Sequence, residues 1–354
     1  MVKKTAAVFV LTAVSVCLFA YNPPAGGENV FGIAGPQQLT SASSAAGGAI
    51  FDVTPSSQVF NPALQAYEQR IMLDAGFTSL YSSDDPDHSW GSAFSGGILV
   101  PTKWGVGSAE MIGSFVPFYE MQTGKSLNLK ASFAKDVTEK LAVGAGFGCG
   151  YFFGYDTDWA AGLDLGVLYR YGTLGPLQDV RFGVSLLNLG KTYTDTTVVG
   201  IDEKKDAGMF PGIATLRTGM GATFYKNSGL TGAFSVDAAI PTMQNFILDT
   251  GVQLMIRDFL KISTSWEYNA REVMEGSKNW MPSLGITWRF VFNAKDNQFM
   301  KEKGWQESEM AVSAGWQHMY DHINAISGGA VLKLGLKDTD APKITIGKSE
   351  GDKK

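Results

Sequence analysis

From residue 70 onward, hydrophobic and polar positions alternate with a period of two, the pattern of strands whose two faces meet different surroundings. Between 280 and 292, Trp280, Pro282, Leu284, Ile286, Trp288, Phe290 and Phe292 share one face. Met281, Ser283, Gly285, Thr287, Arg289 and Val291 share the other. A helix would set Arg289 in the middle of its apolar stripe, and a strand removes that conflict. Leu260, Ile262, Thr264, Trp266 and Tyr268 oppose Lys261, Ser263, Ser265, Glu267 and Asn269 in the same way. Such segments predict strands near 70–81, 88–100, 103–116, 126–137, 140–152, 158–171 and 179–190, then near 212–224, 230–240, 246–256, 259–270, 279–292, 308–320 and 325–336. That is an even number, about fourteen, and each is close to the ~9–11 residues a tilted strand needs to cross a bilayer. The pattern predicts an all-β fold, a transmembrane antiparallel β-barrel.

The connections add a second signal. Those after even strands are mostly tight, at 101–102, 138–139, 226–228 and 257–258, and those after odd strands are longer and more polar, at 82–87, 117–125, 191–211 and 271–278. Short turns on one rim and long loops on the other are the asymmetry of outer-membrane barrels. The fifteen-residue stretch 293–307 breaks this rule.

Composition narrows the choice. Of 354 residues 42 are Gly, 22 Phe, 12 Tyr and 8 Trp, and the charged fraction is 18%, below the usual ~25%. A secreted β-sandwich would alternate too, but its solvent face would carry more Lys and Glu than the Gly, Ser, Ala and Thr found here. The net charge of −5 provides no basic stripe for nucleic acid. Two cysteines, Cys17 and Cys149, cannot form a disulfide framework.

Four regions follow. Lys3 and Lys4 precede the uncharged apolar stretch 5–20, which reads as a signal peptide cleaved after Ala20. Residues 21–69 are rich in Gly, Pro, Ser and Ala and do not alternate, residues 70–336 form the barrel, and 337–354 are a polar tail.

No catalytic constellation emerges. His318 and His322 are four apart but fall at a strand end, and His88 and Cys149 have no partner in sequence. Gly-x-Ser-x-Gly and phosphate-loop motifs are absent, so neither an enzyme nor a metal or other cofactor is expected. Gly144, Gly146, Gly148 and Gly150 alternate with Val143, Ala145, Phe147 and Cys149. This bares one strand face toward the lumen, for a plug or for a ligand path. Inner-face charges include Lys130, Asp164, Arg170, Arg181, Arg217, Asp237, Asp249, Arg257, Lys261, Glu267, Arg289 and Lys333. Facing lipid, a Lys or Arg would cost about 2–4 kcal/mol, so the lumen is their place. Arg217, Arg257, Lys261 and Arg289 are the candidates for touching a solute or an anionic headgroup.

The stretch 44–51 (Ser-Ala-Ala-Gly-Gly-Ala-Ile-Phe) and the motif Asn61-Pro62-Ala63, placed just before the first strand, resemble FadL-type long-chain fatty-acid transport barrels, in particular their spirochaetal (treponemal) members. The resemblance implies that residues 21–69 fold into the barrel as a hatch, with Asn61, Pro62 and Ala63 anchoring it near the wall. It also implies a monomer in the outer membrane of a diderm bacterium, delivered by the barrel-assembly machinery and surrounded by outer-membrane lipid. Passive diffusion of a hydrophobic ligand such as a fatty acid past the hatch, with lateral exit, is the function implied. The chain departs from the family in its tail after the last strand and in a short third outward loop at 153–157. A surface scaffold, an adhesin, a secretion-shuttle protein and a general porin remain alternatives.

Overall fold

The computed structural model describes residues 31–40, 42–83, 89–117, 121, 124–153, 157–193, 196–197, 206–207, 214–243, 245–274, 276, 281–294, 297–303 and 305–335. The expected signal peptide 1–20, hatch residues 21–30, His88, Trp280, most of the 191–211 loop and the 337–354 tail lie outside them. The strands are β1 (Ile71–Ser82), β2 (Trp90–Thr102), β3 (Gly105–Val116), β4 (Gly124–Asp136), β5 (Leu141–Phe153), β6 (Thr157–Leu174), β7 (Leu177–Lys191), β8 (Thr196–Thr197), β9 (Asp206–Ala207), β10 (Thr215–Lys226), β11 (Leu230–Ile240), β12 (Ile247–Ile256), β13 (Leu260–Asn269), β14 (Ser283–Asn293), β15 (Glu307–Met319) and β16 (Ile323–Leu334). Fourteen of them close into one antiparallel barrel, and β8 and β9 form a separate two-residue ladder. Closure comes from β1 on β16, in register from Ile71 opposite Leu334 to Ser82 opposite Ile323.

The two faces separate as the alternation requires. On β14, Leu284 is 52% and Trp288 45% exposed, whereas Ser283 and Thr287 are 2% and 4%. Phe77, Phe94, Leu129, Phe147, Trp159 and Leu163 extend the exposed apolar belt around the barrel. A water-facing surface of this kind would associate, whereas a lipid-facing one is what a membrane barrel presents. Helices make no such surface here: no described helix is long and apolar enough to cross a membrane.

Some details differ from expectation. β14 starts at Ser283 rather than near 279, just after Pro282, which has no N–H to give to the ladder. The outer-rim connection of β15 to β16 is a tight turn, with Tyr320 at φ 49° and Asp321 at φ 60°, so long loops do not occupy that whole rim. The long inner-rim stretch after β14 holds a short helix, Gln298–Glu302, capped by the Asn297 side chain, which accepts from the Met300 N–H.

The core lies inside the barrel. Ile33, Leu39, Val59, Phe60 and Leu64 of the segment before β1 pack with Leu80, Ile112, Val116, Leu168, Met319 and Ile323 of the wall. A second cluster joins Val53 to Met72, Leu99 and Val106, with Phe51 against it.

Candidate functional site

Within the lumen, the described residues between 31 and 70 form a loop broken by three short helical turns. Pro36–Leu39 lies against β15 and β16, Pro55–Val59 against β2 and β3, and Pro62–Tyr67 against β4, β5 and β6. Each begins with Pro, whose fixed φ and missing N–H suit a first helical position. Thr54 and Ser57 cap the second turn reciprocally, and Asn61 caps the third, its Oδ1 accepting from Ala63 N–H at 2.9 Å.

Asn61 spends its whole side chain on backbone groups. Its Nδ2 donates to Ala45 O at 2.8 Å within the segment and to Val167 O at 2.9 Å on β6. The wall opposite is bare. Gly144 and Gly166 face each other across β5 and β6, and Gly166 pairs with Ser185 on β7. A Cβ on Gly144 would come within 2.5 Å of Ala63 N, and one on Gly166 within 2.0 Å of Asn61 Oδ1. Ser185 Oγ donates to Phe60 O at 2.6 Å. Pro62 thus starts a helical turn at the wall, and the chain enters β1 only at Ile71.

The expected glycine face divides. Of its four residues, Gly144 alone would have its Cβ nearest to hatch atoms; Gly146 and Gly148 face Lys130, Ser132 and Asp164, and Gly150 faces Asn128 and Tyr193. The stretch 144–150 rises about 20 Å, more than the width of one crossing chain. Gly166, Gly183 and Gly251, which would touch Asn61, Ala45 and Ala42 respectively, were not singled out from the sequence. Their signal was the same: small residues on inward positions of amphipathic strands.

Several charges in the lumen are matched in ion pairs. Lys130 holds Asp164 at 2.8 Å, and Arg217 holds both Asp237 and Asp249, the latter at 3.1 Å. Arg181 donates to the carbonyls of Ala46, Gly48 and Ala49. Asp52 of the hatch receives Lys261 at 3.1 Å, Lys333 at 2.7 Å and Arg289 at 2.5 Å. Burial alone would raise the Asp52 carboxyl, but the three cations outweigh it and hold the group well below the usual carboxylate range. Arg257 is a correction. β12 ends at Ile256, and Arg257 and Asp258, at φ 45° and 58°, make a two-residue hairpin turn that leaves Arg257 exposed at the inner rim.

Two of the cavities beside the hatch adjoin each other. The central one, about 80 Å³, is lined by Phe31, Ile33, Phe60, Leu187 and Met319 and by Arg217, Asp249 and Glu267. The second, about 30 Å³, runs from lumen residues Asn128, Lys130, Gly148 and Gly150 to the outward-facing Leu129, Cys149 and Ala161. It borders Gly148 on β5 and Gly162 on β6, which stand in one lateral row with Gly190 on β7. The β6–β7 register also shifts there, between Leu163 and Leu165. Phe31 and Asn188 border both cavities.

The described residues form a closed, fourteen-stranded antiparallel β-barrel filled by its own N-terminal segment, with an apolar outer belt. No family model matches the sequence, and no curated protein does. Among solved structures, the P. putida toluene transporter TodX aligns with a TM-score of 0.50 at 10% identity, over 88% of this chain and 100% of that one. The Ralstonia pickettii toluene transporter TbuX gives 0.49 at 12%, over 86% and 98%. A Pseudomonas aeruginosa FadL homologue gives 0.44 at 12%, over 83% and 96%. The fold likeness rests on TodX, and nothing in these matches bears on a spirochaetal relationship.

Proposed function

We propose that this chain is an outer-membrane channel passing uncharged hydrophobic small molecules by diffusion past the hatch and out through the wall. The observation that carries the reading is the pair of adjoining cavities. A central pocket with an apolar side touches, through Phe31, a row of the wall from which side chains are missing. An apolar solute moving sideways there would pass Asn128, Lys130, Asn188 and Lys191 and then leave directly into lipid, and the filled lumen argues against a general porin.

The finer ligand class follows from charge. A fatty-acid carboxylate in the central cavity would meet Asp249 and Glu267, while Arg217 is already committed to Asp237 and Asp249. Neutral solutes therefore suit the pocket better than the long-chain fatty acids implied by the resemblance. The cavity is about half the ~150 Å³ that admits benzene in an engineered protein interior, so passage needs Phe31 to swing aside. The test is uptake of labelled toluene and labelled palmitate by cells whose own hydrophobic channels are deleted. Expression of this chain should speed toluene entry more than palmitate entry, and Phe31→Ala should speed it further. Faster palmitate alone would restore the fatty-acid reading, and no gain for either would leave a scaffold.

A further inference from the structure

We propose that Asp74, Glu110 and the side-chain carbonyl of Gln58 bind one Ca²⁺ ion that fastens the hatch to the barrel wall. The site is independent of what the barrel transports. Asp74 on β1 and Glu110 on β3 flank Gly97 of β2 in one lateral row. With no side chain on Gly97 to separate them, the Asp74 carboxylate leans over it, Oδ1 lying 2.6 Å from where a Gly97 Cβ would stand.

Four buried acceptor oxygens here make no well-formed hydrogen bond among the described residues, Asp74 Oδ1, both Glu110 oxygens and Gln58 Oε1, with Ser56 and Gln58 as the neighbours of Glu110. Glu110 and Gln58 are each 2% exposed. Ser56 of the hatch gives its N–H and hydroxyl to Asp74 Oδ2, at 3.1 and 2.5 Å, which fixes the carboxylate and leaves Oδ1 free. Gln58 spends its amide nitrogen on Ser108 Oγ at 3.2 Å. Ser108 is two residues before Glu110 on the same face of β3, so the Gln58 head lies beside Glu110. Lys130 faces Glu110 across β3 and β4, but it is bound to Asp164 and, at 3.3 Å, to Asn188.

Charge completes the argument. Asp52, Asp164, Asp237 and Asp249 each have a cation in contact, whereas Asp74 and Glu110 are two buried carboxyls without one. Burying unpaired charge is costly, and one divalent ion cancels both while satisfying the free oxygens. An all-oxygen set selects a hard cation over zinc or copper. The adjoining cavity of about 30 Å³, lined by Gln38, Ser56, Asp74 and Ser95, has room for a water or two. That suits Ca²⁺, since Mg²⁺ keeps several waters.

The test uses full-length protein in detergent, stripped with EDTA, dialysed against CaCl2 and analysed for calcium by atomic emission. Wild type should retain one Ca²⁺ per chain. Glu110→Gln and Gln58→Leu, checked as folded by heat-modifiable gel migration, should each bind more than about tenfold more weakly. Asp179→Asn, at an exposed inner-rim carboxylate, should bind as wild type does. Folded wild type without stoichiometric calcium overturns the proposal. So does an infrared carboxylic-acid band that disappears in Glu110→Gln, because it would show that a proton occupies the site.

Discussion

Gly144 and Gly148 sit on one face of one strand, yet they meet different neighbours. The backbone of Pro62 and Ala63 occupies the space a Gly144 side chain would need, and backbone cannot rotate away. At Gly148 the nearest atom is Lys130 Cγ, 3.4 Å from an added Cβ, an ordinary contact. Gly144→Ala should therefore lift the hatch from its seat while Gly148→Ala leaves it docked. Hydrogen exchange over residues 55–67 would register the difference as lost protection in the first variant only. Asp52 makes a second case. Asp52→Asn strands three lumen cations, and breaking a buried pair costs about 3–5 kcal/mol. Its carboxyl is held below its unfolded value of about 3.9, so its contribution is complete above that value and is lost as pH falls through the lowered one. Hatch protection in wild type should stay constant from pH 7 to 5, whereas Asp52→Asn should lose it at pH 7 already. Asp52 was legible in principle: it is the only charged residue between Glu28 and Glu68, opposite three strands with inward cations. Which glycine touches the hatch was not legible, because alternation gives a residue's face but not the height at which another chain crosses it.

Strands carry their information more openly than the segment they enclose. Lipid outside and packed chain inside impose opposite demands on successive residues, so the face of nearly every barrel residue was readable from period two. β14 tests this directly. Introduced one at a time into a Cys149→Ser background, cysteines at Ser283, Thr287 and Arg289 should differ from those at Leu284, Ile286 and Trp288. A lipid-phase maleimide should label the second set, and only the second. Labelling of the first set would mean a register slip of one residue, which turns every side chain over. The predicted inner position of Arg257 failed for an element-level reason. Alternation holds only while the ladder runs, and a two-residue turn with both φ values positive ends it one residue earlier. The hatch segment has no period at all, since its short turns bury Ala, Ser and Pro on every side against a curved wall. Composition there reads as a flexible arm, and only the Asn61-Pro62-Ala63 motif marked where it would be held.

At the scale of the whole molecule, the proposed function assigns the hatch and the glycine row to two different routes. In that reading the hatch blocks the axis, the path for ions and polar solutes, because a fourteen-strand barrel is wider than its own side chains can fill. The Gly148–Gly162–Gly190 row would give the sideways route, and a solute using it would have to partition into lipid, which excludes ions. Deleting residues 22–58 should therefore raise single-channel conductance in planar bilayers, whereas filling the row with Gly148→Leu should leave conductance at the wild-type level. Hydrophobic uptake should respond in the opposite way: Gly148→Leu should slow toluene entry even though the hatch is intact. Combining the two changes separates the routes, since conductance should stay high while sideways passage stays slow. If Gly148→Leu leaves toluene entry unchanged, the gap is not the exit. If the deletion leaves conductance unchanged, residues 22–58 do not seal the axis, and a scaffold becomes the better description.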